Sequence, residues 1–166
     1  MGAREATCAQ PSPPAPAARP EPRERLEQLC DPGSIQLLRS AVRSRRLGAG
    51  ARDGDGVLAA CATVGGRPIC CYAQDAGFAG GSLGEAHADT IVRVLALAER
   101  SRMPVVGLVE SAGARVQEGT AALAGYARVF RHSVALSGRV PQLSIVSGVS
   151  AGGGSYAPAL TDFVGM

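Results

Sequence analysis

Three glycine-rich segments are the parts of this sequence best suited to chemistry that uses the backbone. They are AGFAGGSLG at 76–84, SAGAR at 111–115 and SAGGG at 150–154, and each follows a run predicted to be a strand. A peptide N–H at the start of a helix has no intrahelical partner, and without a Cβ a ligand oxygen can approach it closely. Two such amides form an oxyanion hole, in which one donor is worth about 3 kcal/mol of barrier stabilisation. A thioester, whose carbonyl oxygen becomes an enolate when the α-carbon loses a proton, is the substrate that this arrangement suggests.

The same glycines could instead serve the fold alone, by allowing turns or close helix packing. The segment GFAGGSLGE lacks the G-x-G-x-x-G order of a dinucleotide site, and the chain has no lysine for a phosphate-binding loop. Residues 148–152 match the G-x-S-x-G of a hydrolase, but His87 and His132 both precede Ser150, whereas that chemistry places the histidine after the serine. The hydrolase interpretation is therefore disfavoured, and the turn interpretation stays open.

The composition divides the 166 residues into a tail and one domain. Residues 1–22 are rich in proline, alanine and charge, and they offer too little apolar surface to offset the entropy of ordering. We expect a disordered tail there, because the segment lacks the apolar run of a secretory signal and the pattern of a transit peptide. Residues 23–166 are expected to form the folded domain.

Charge and cysteine content limit the classes of partner. The net charge is +3 and all 17 basic residues are arginine, which excludes Schiff-base chemistry on lysine. The arginines are spread along the chain with few aromatic residues among them, so no nucleic-acid partner is predicted. No apolar run approaches the ~20 residues that cross a bilayer, so no membrane span is predicted. The five cysteines include no C-x-x-C pair, so we expect no metal site, no disulfides and a cytoplasmic location.

The elements that must position the glycine segments alternate along the chain. A short helix is predicted before Asp31, a further helical turn after Ser34, and a hairpin over 57–64 and 69–74. Two longer helices are predicted over 85–100 and 120–136, the second with a buried stripe of Leu123, Tyr126, Ala127, Phe130 and Val134. Strands at MPVVGLVE, VPQLSIVSG and, more weakly, TDFVG complete an α/β pattern. Ligands of such folds gather where strands end, which is where all three glycine segments lie.

Four stretches together resemble the amino-terminal half of a biotin-dependent acyl-CoA carboxylase β chain, of the propionyl-CoA/acyl-CoA carboxyltransferase type. They are RERLEQLCDPGS, YAQDAGFAGGSLGE, PVVGLVESAGARVQEG and VPQLSIVSGVSAGGGSYAPALTDF, and they run from about Arg23 to the end. The resemblance implies a crotonase-like (ClpP/crotonase) fold, a β-β-α superhelix, present here as an incomplete amino-terminal carboxyltransferase domain. It also implies transfer of a carboxyl group from carboxybiotin to the α-carbon of a short acyl-CoA, such as propionyl-CoA or acetyl-CoA.

By the same resemblance, Gly152 and Gly153 are the catalytic pair whose amides hold the thioester oxygen. The residues implied to bind substrate around them are Ala112, Gly113, Ala151, Gly80 and Gly81. The implied cofactor is biotin, carried by a partner protein and supplying the base, with acyl-CoA as substrate. The implied partners are a biotin carboxylase or biotin carrier subunit and further copies of the chain. Ala112 departs from the family, which usually has a second glycine at that position.

Alternatives remain within the same fold. The residues do not set the direction of carboxyl transfer, so the carboxyltransferase subunit of a malonyl- or methylmalonyl-CoA decarboxylase is one alternative, and a non-catalytic assembly module is another. In the family, the active site lies between two subunits and chains continue beyond PALTDF. We therefore expect an uncovered sheet edge and no turnover by this chain alone.

Several side chains near the glycine segments favour structural roles. Arg115 and Glu118 are spaced to pair with each other at i, i+3. His87 and His132 are expected at the surface. Tyr126 and Phe130 are expected in the core.

Overall fold

The computed structural model describes residues 20–166. Its helices are α1 (Pro22–Leu29), α2 (Glu85–Ser101), α3 (Thr120–Leu136) and α4 (Gly153–Ala159). Its strands are β1 (Gln36–Leu38), β2 (Val57–Val64), β3 (Arg67–Gln74), β4 (Val105–Ser111), β5 (Gln142–Ser150) and β6 (Phe163–Gly165). Of the tail expected at 1–22, residues 1–19 lie outside the described part, and α1 begins at Pro22.

The six strands form one mixed sheet in the order β1-β2-β3-β4-β5-β6. The first three strands are antiparallel neighbours, and β3 to β6 are parallel. The parallel strands are joined by the crossover helices α2, α3 and α4, so the carboxyl ends of β3, β4 and β5 meet at one edge. This edge is where the three glycine segments converge.

Both faces of the sheet are packed. On one face, α2 and α3 cover a core that includes Cys70 and Tyr72 of β3, and on the other face α1 covers a core that includes Leu26 and Cys71. Cys70 and Cys71 point to opposite faces because successive strand side chains alternate, and each belongs to an apolar core. The four cysteines of residues 20–166 are all free.

Most predicted elements match the structure. The α/β pattern, the hairpin and the two long helices are present, with Ile91, Val94 and Leu95 buried on α2. The helical turn expected after Ser34 is wrong, because residues 36–38 instead pair with β2 as the edge strand β1. Three residues are too few for a periodic pattern to reveal a strand.

The predicted buried stripe of α3 is wrong in part. Tyr126 is 5% exposed, but Leu123 and Val134 are 61% and 59% exposed. The buried face carries smaller residues, because α2 and α3 approach closely: a Cβ added to Gly125 would lie 2.8 Å from the Cβ of Ala88. Small residues at a close helix–helix contact weaken the apolar period that the sequence displays.

None of the helices within residues 20–166 is long and apolar enough to cross a membrane. Over the same residues, no group of three or more histidine, cysteine, aspartate or glutamate side chains is placed to hold a metal ion.

Candidate functional site

The turn between β5 and α4 carries the two predicted catalytic glycines. Gly152 caps α4 with φ 52° and ψ −123°, a conformation that side chains with a Cβ rarely adopt, and Gly153 is the first helical residue. The amide of Gly154 donates to the carbonyl of Ala151 at 2.9 Å, and that of Ser155 donates to the carbonyl of Gly152 at 3.1 Å. The amides of Gly152 and Gly153 have no hydrogen-bond partner in the described part of the chain. Two adjacent donors are therefore available to a ligand.

The loop after β4 lies directly beside this turn. Ser111 ends β4, and its carbonyl accepts the amide of Ala151 at 2.9 Å. A Cβ added to Gly113, whose φ is +99°, would lie 3.1 Å from the carbonyl oxygen of Ala151. The β4–β5 register shifts between Val109 and Ser111, an irregularity of the kind that re-aims residues next to a site.

The third glycine segment packs against the second. The amide of Ala112 donates to the carbonyl of Gly80 at 2.9 Å. A Cβ added to Gly81 would overlap the carbonyl oxygen of Glu110, and one added to Gly80 would lie 3.4 Å from the Cβ of Ala112. The structure thus brings all seven predicted site residues together through backbone contacts, from Gly80 and Gly81 through Ala112 and Gly113 to Ala151, Gly152 and Gly153.

The candidate site is open to solvent rather than enclosed. Ala112, Ala151 and Gly152 are exposed, and Gly153 is half-buried. Four surface cavities lie beside α1, the Arg39–Arg45 segment and the Asp53–Gly56 turn, and none of the four is lined by a predicted site residue. The unpartnered amides of Gly152 and Gly153, here called the amide shelf, therefore lie on an open surface after the end of β5.

A buried guanidinium holds the loops behind this shelf. Arg115 is 1% exposed, and its Nη1 donates to Asp55 Oδ1 at 2.5 Å and to Glu118 Oε1 at 2.9 Å. Its Nη2 donates to the carbonyl of Ser82 at 2.9 Å. The other oxygen of Glu118 accepts the first amide of α2, that of Glu85, at 2.7 Å. The predicted Arg115–Glu118 pair is present, whereas no pattern in the sequence indicated the third member, Asp55.

Burial and charge set the ionisation of this cluster. Burial raises the pKa of Asp55, although hydrogen bonding and the charge of Arg115 oppose that shift. Burial would also raise the pKa of Glu118, but hydrogen bonds from the Glu85 amide, Ser44 and Arg115 outweigh it and hold that pKa below its usual value. All three charged side chains are buried and paired with one another, so the cluster is a structural ion group.

The surface position expected for His87 is wrong, because its side chain is fully buried. Its Nδ1 lies 3.2 Å from the carbonyl of Asp55, and its Nε2 lies 3.2 Å from Nε2 of Gln74. These partners fit a neutral ring that donates from Nδ1 and accepts at Nε2. Burial, together with the charge of Arg115, lowers the pKa of His87 to about 3, so the ring stays neutral over the physiological range.

A second arginine, Arg25, connects α1 to the carboxyl ends of the strands. Arg25 donates to the carbonyl of Gln74 at 3.0 Å and to Oγ of Ser147 at 2.6 Å, and it pairs with Glu110 at 3.6 Å. These three residues belong to β3, β5 and β4, so one side chain spans the carboxyl ends of three neighbouring strands. Residues brought together from such distant positions leave no local sequence signal.

The chain matches known proteins over most of its length. The model for the carboxyl transferase domain matches residues 15–166. The propionyl-CoA carboxylase beta chain of Cereibacter sphaeroides is 45% identical over 148 residues, and the methylmalonyl-CoA decarboxylase subunit alpha of Veillonella parvula is 44% identical over 148 residues. Each alignment covers 87% of this chain and 29% of the relative, so the chain spans less than a third of the length of these relatives.

Solved structures agree with this family match. A transcarboxylase 12S structure with methylmalonyl-coenzyme A and methylmalonic acid bound superposes with a TM-score of 0.85 at 38% identity, covering 87% of this chain and 28% of that one. A Pseudomonas malonate decarboxylase hetero-tetramer in complex with malonate superposes with a TM-score of 0.81 at 30% identity, covering 87% of this chain and 57% of that one. The crotonase-like α/β fold expected from the sequence is confirmed.

Proposed function

The chain belongs to the carboxyl transferase domain family, and we propose that it forms the acyl-CoA side of a biotin-dependent carboxyltransferase. The carboxyl group would move from carboxybiotin to the α-carbon of a short acyl-CoA, propionyl-CoA or acetyl-CoA. The observation that carries this proposal is the pair of unpartnered amides at Gly152 and Gly153, which lie side by side at the end of β5.

The amide shelf suits a thioester oxygen that gains negative charge. Both donors belong to the backbone, so they are held by the fold and need no reorganisation as charge develops. Ala112 and Gly113 would border the ester from the β4 loop, and Gly80 and Gly81 would shape the neighbouring loop. Biotin carried by a partner subunit would supply the carboxyl group and the base. A Cβ added to Gly153 would meet the ring of Tyr126, and one added to Gly154 would meet Ser111, so the side chains on this side of the turn are neither carboxylates nor histidines.

Exposed apolar surface supports association with further protein. On α3, Leu123 and Val134 lie on one side of the helix, and Phe130 between them contacts Tyr156 of α4 with ring centroids 5.1 Å apart. Phe163 of the edge strand β6 is 67% exposed. Apolar patches of this kind mark protein interfaces. We propose that these patches contact other copies of the chain or a biotin-carrying partner. We also propose a cytoplasmic location, because the four free cysteines of residues 20–166 would stay reduced there.

A carboxyl-transfer assay tests the proposal. The chain is incubated with propionyl-CoA and carboxybiotin, alone and supplemented with the remaining segment of a carboxylase β chain. We expect methylmalonyl-CoA in the supplemented reaction. No product under either condition would contradict the enzyme proposal and favour an assembly module.

A decarboxylase subunit is the second candidate, since the Veillonella relative is as similar as the propionyl-CoA carboxylase chain. The same mixture run with methylmalonyl-CoA and free biotin measures transfer in the opposite direction. A much higher kcat/KM in that direction would favour the decarboxylase assignment.

A further inference from the structure

Two buried hydroxyls link the loops that carry the candidate site. Oγ of Ser111, at the end of β4, lies 3.2 Å from the hydroxyl of Tyr126 on α3. The same Oγ accepts the amide of Gly113 at 3.2 Å, and the Ser111 carbonyl accepts the amide of Ala151. Ser111 is therefore hydrogen-bonded to the loop after β4, to the β5–α4 turn and to α3.

The ring of Tyr126 also supports the catalytic turn directly. A Cβ added to Gly153 would lie 2.8 Å from three ring carbons, so the Cα of Gly153 rests against the ring. The ring centroid of Phe130 is 5.5 Å away on the same helix, which limits movement of Tyr126. Tyr126 is 5% exposed and Ser111 is fully buried, so neither side chain faces a ligand.

We infer that Tyr126 and Ser111 are positioning residues, which fix the distance between the Gly113 loop and the Gly152–Gly153 amides. The ring of Tyr126 sets the position of the β5–α4 turn, and its hydroxyl, through Ser111, sets the position of the loop after β4. An amide pair stabilises a developing charge only if its donors stay within a few tenths of an ångström of their place. Tyr126 and Ser111 therefore act on the reaction only through the backbone that they position, and neither side chain contacts a reacting atom.

Tyr126→Phe is the decisive variant, since it keeps the ring against Gly153 and removes only the hydroxyl. Amide exchange of Gly113 and Ala151, both bonded to Ser111, is followed by NMR in the full chain. We expect about three- to tenfold faster exchange in Tyr126→Phe, the range of one hydrogen bond, and more in Ser111→Ala. Thr90→Val, which removes the hydroxyl of a buried α2 residue that donates to the carbonyl of Ala86, is the control and should leave both amides unchanged. Exchange within twofold of the unmodified chain in Tyr126→Phe would overturn the inference.

A kinetic readout separates positioning from stability, and this arm rests on the proposed function. In the supplemented carboxyl-transfer assay, Tyr126→Phe should lower kcat about three- to tenfold and leave KM for acyl-CoA unchanged. A lower melting temperature with unchanged kcat would mean a structural role only and would overturn the inference. If the unmodified chain transfers no carboxyl group, the proposed function fails, and the exchange measurement still decides whether Tyr126 and Ser111 hold the loops.

Discussion

Replacing Arg115 by methionine should strongly destabilise the domain. The guanidinium is 1% exposed and bonds to two carboxylates, Asp55 and Glu118, whose side chains are both fully buried. Methionine preserves much of the volume but leaves the two carboxylates buried side by side without a counter-charge. Removing one partner of a buried ion pair costs about 3–5 kcal/mol. For a chain of this size that corresponds to a fall in melting temperature of roughly 10 °C.

Urea denaturation followed by far-UV circular dichroism measures this loss of stability. Arg139→Met is the matched control, because Arg139 pairs with Glu99 at 3.0 Å but the two side chains are 62% and 37% exposed. That exposed pair should contribute less than about 1 kcal/mol. If Arg115→Met were no more destabilising than Arg139→Met, the conclusion that burial makes the Arg115 cluster structurally essential would be refuted.

Three other sets of variants test the site and the residues behind it. His87 stays neutral down to about pH 3 in the folded chain but binds a proton below about pH 6.5 when unfolded, so acid favours unfolding in that window. His87→Gln should therefore reduce the slope of the free energy of unfolding against pH by up to about 1.4 kcal/mol per pH unit, and an unchanged slope would contradict this. Gly81→Ala should lower the free energy of unfolding, measured by urea denaturation, by about 3 kcal/mol or more, because its Cβ would overlap the Glu110 carbonyl. Gly80→Ala is the control and should lower it by about 1 kcal/mol, because only its left-handed backbone opposes a side chain. Equal losses in the two variants would contradict this. The Cβ of Gly152→Ala would meet no neighbouring atom, but alanine cannot hold φ 52° and ψ −123° without strain. We therefore expect kcat in the transfer assay to fall about 100-fold or more. An unchanged kcat would show that Gly152 does not belong to the site.

A side chain at Gly153 would act differently from one at Gly152. Its Cβ would point at the Tyr126 ring, so Gly153→Val would displace the turn rather than cover the amides from the ligand side. Gly152 is therefore the position at which loss of activity reports on the backbone geometry alone.

The layout of the fold could be predicted because the local patterns of the main elements are strong. The bounds of α3 and β2 follow from periodicity and from the Gly65-Gly66 turn, and the strand ends after β3, β4 and β5 place the glycine segments at one edge. The resemblance to carboxyltransferases led to the family that the matched model shows.

The contacts behind the site could not be predicted in the same way. Asp55 and Arg115 are 60 positions apart, and Arg25 and Ser147 are 122 apart, so their pairing depends on the assembled sheet. His87 lies in the first turn of a helix, a position that is usually exposed, but the Asp53–Gly56 turn packs over it. The contact between α3 and α2 uses Gly125 and other small residues, which give only a weak apolar period. The larger apolar residues on the exposed side of α3 were therefore predicted, wrongly, to be buried.

The central claim is that the Gly152 and Gly153 amides hold the carbonyl oxygen of an acyl-CoA thioester. Backbone NMR of the full chain during titration with propionyl-CoA tests it most directly, with the thioether S-propyl-CoA, which lacks that oxygen, as control. We predict downfield shifts of both amide protons with the thioester and much smaller ones with the thioether. Equal responses to the two compounds, or no response at either glycine when propionyl-CoA binds, would contradict the claim.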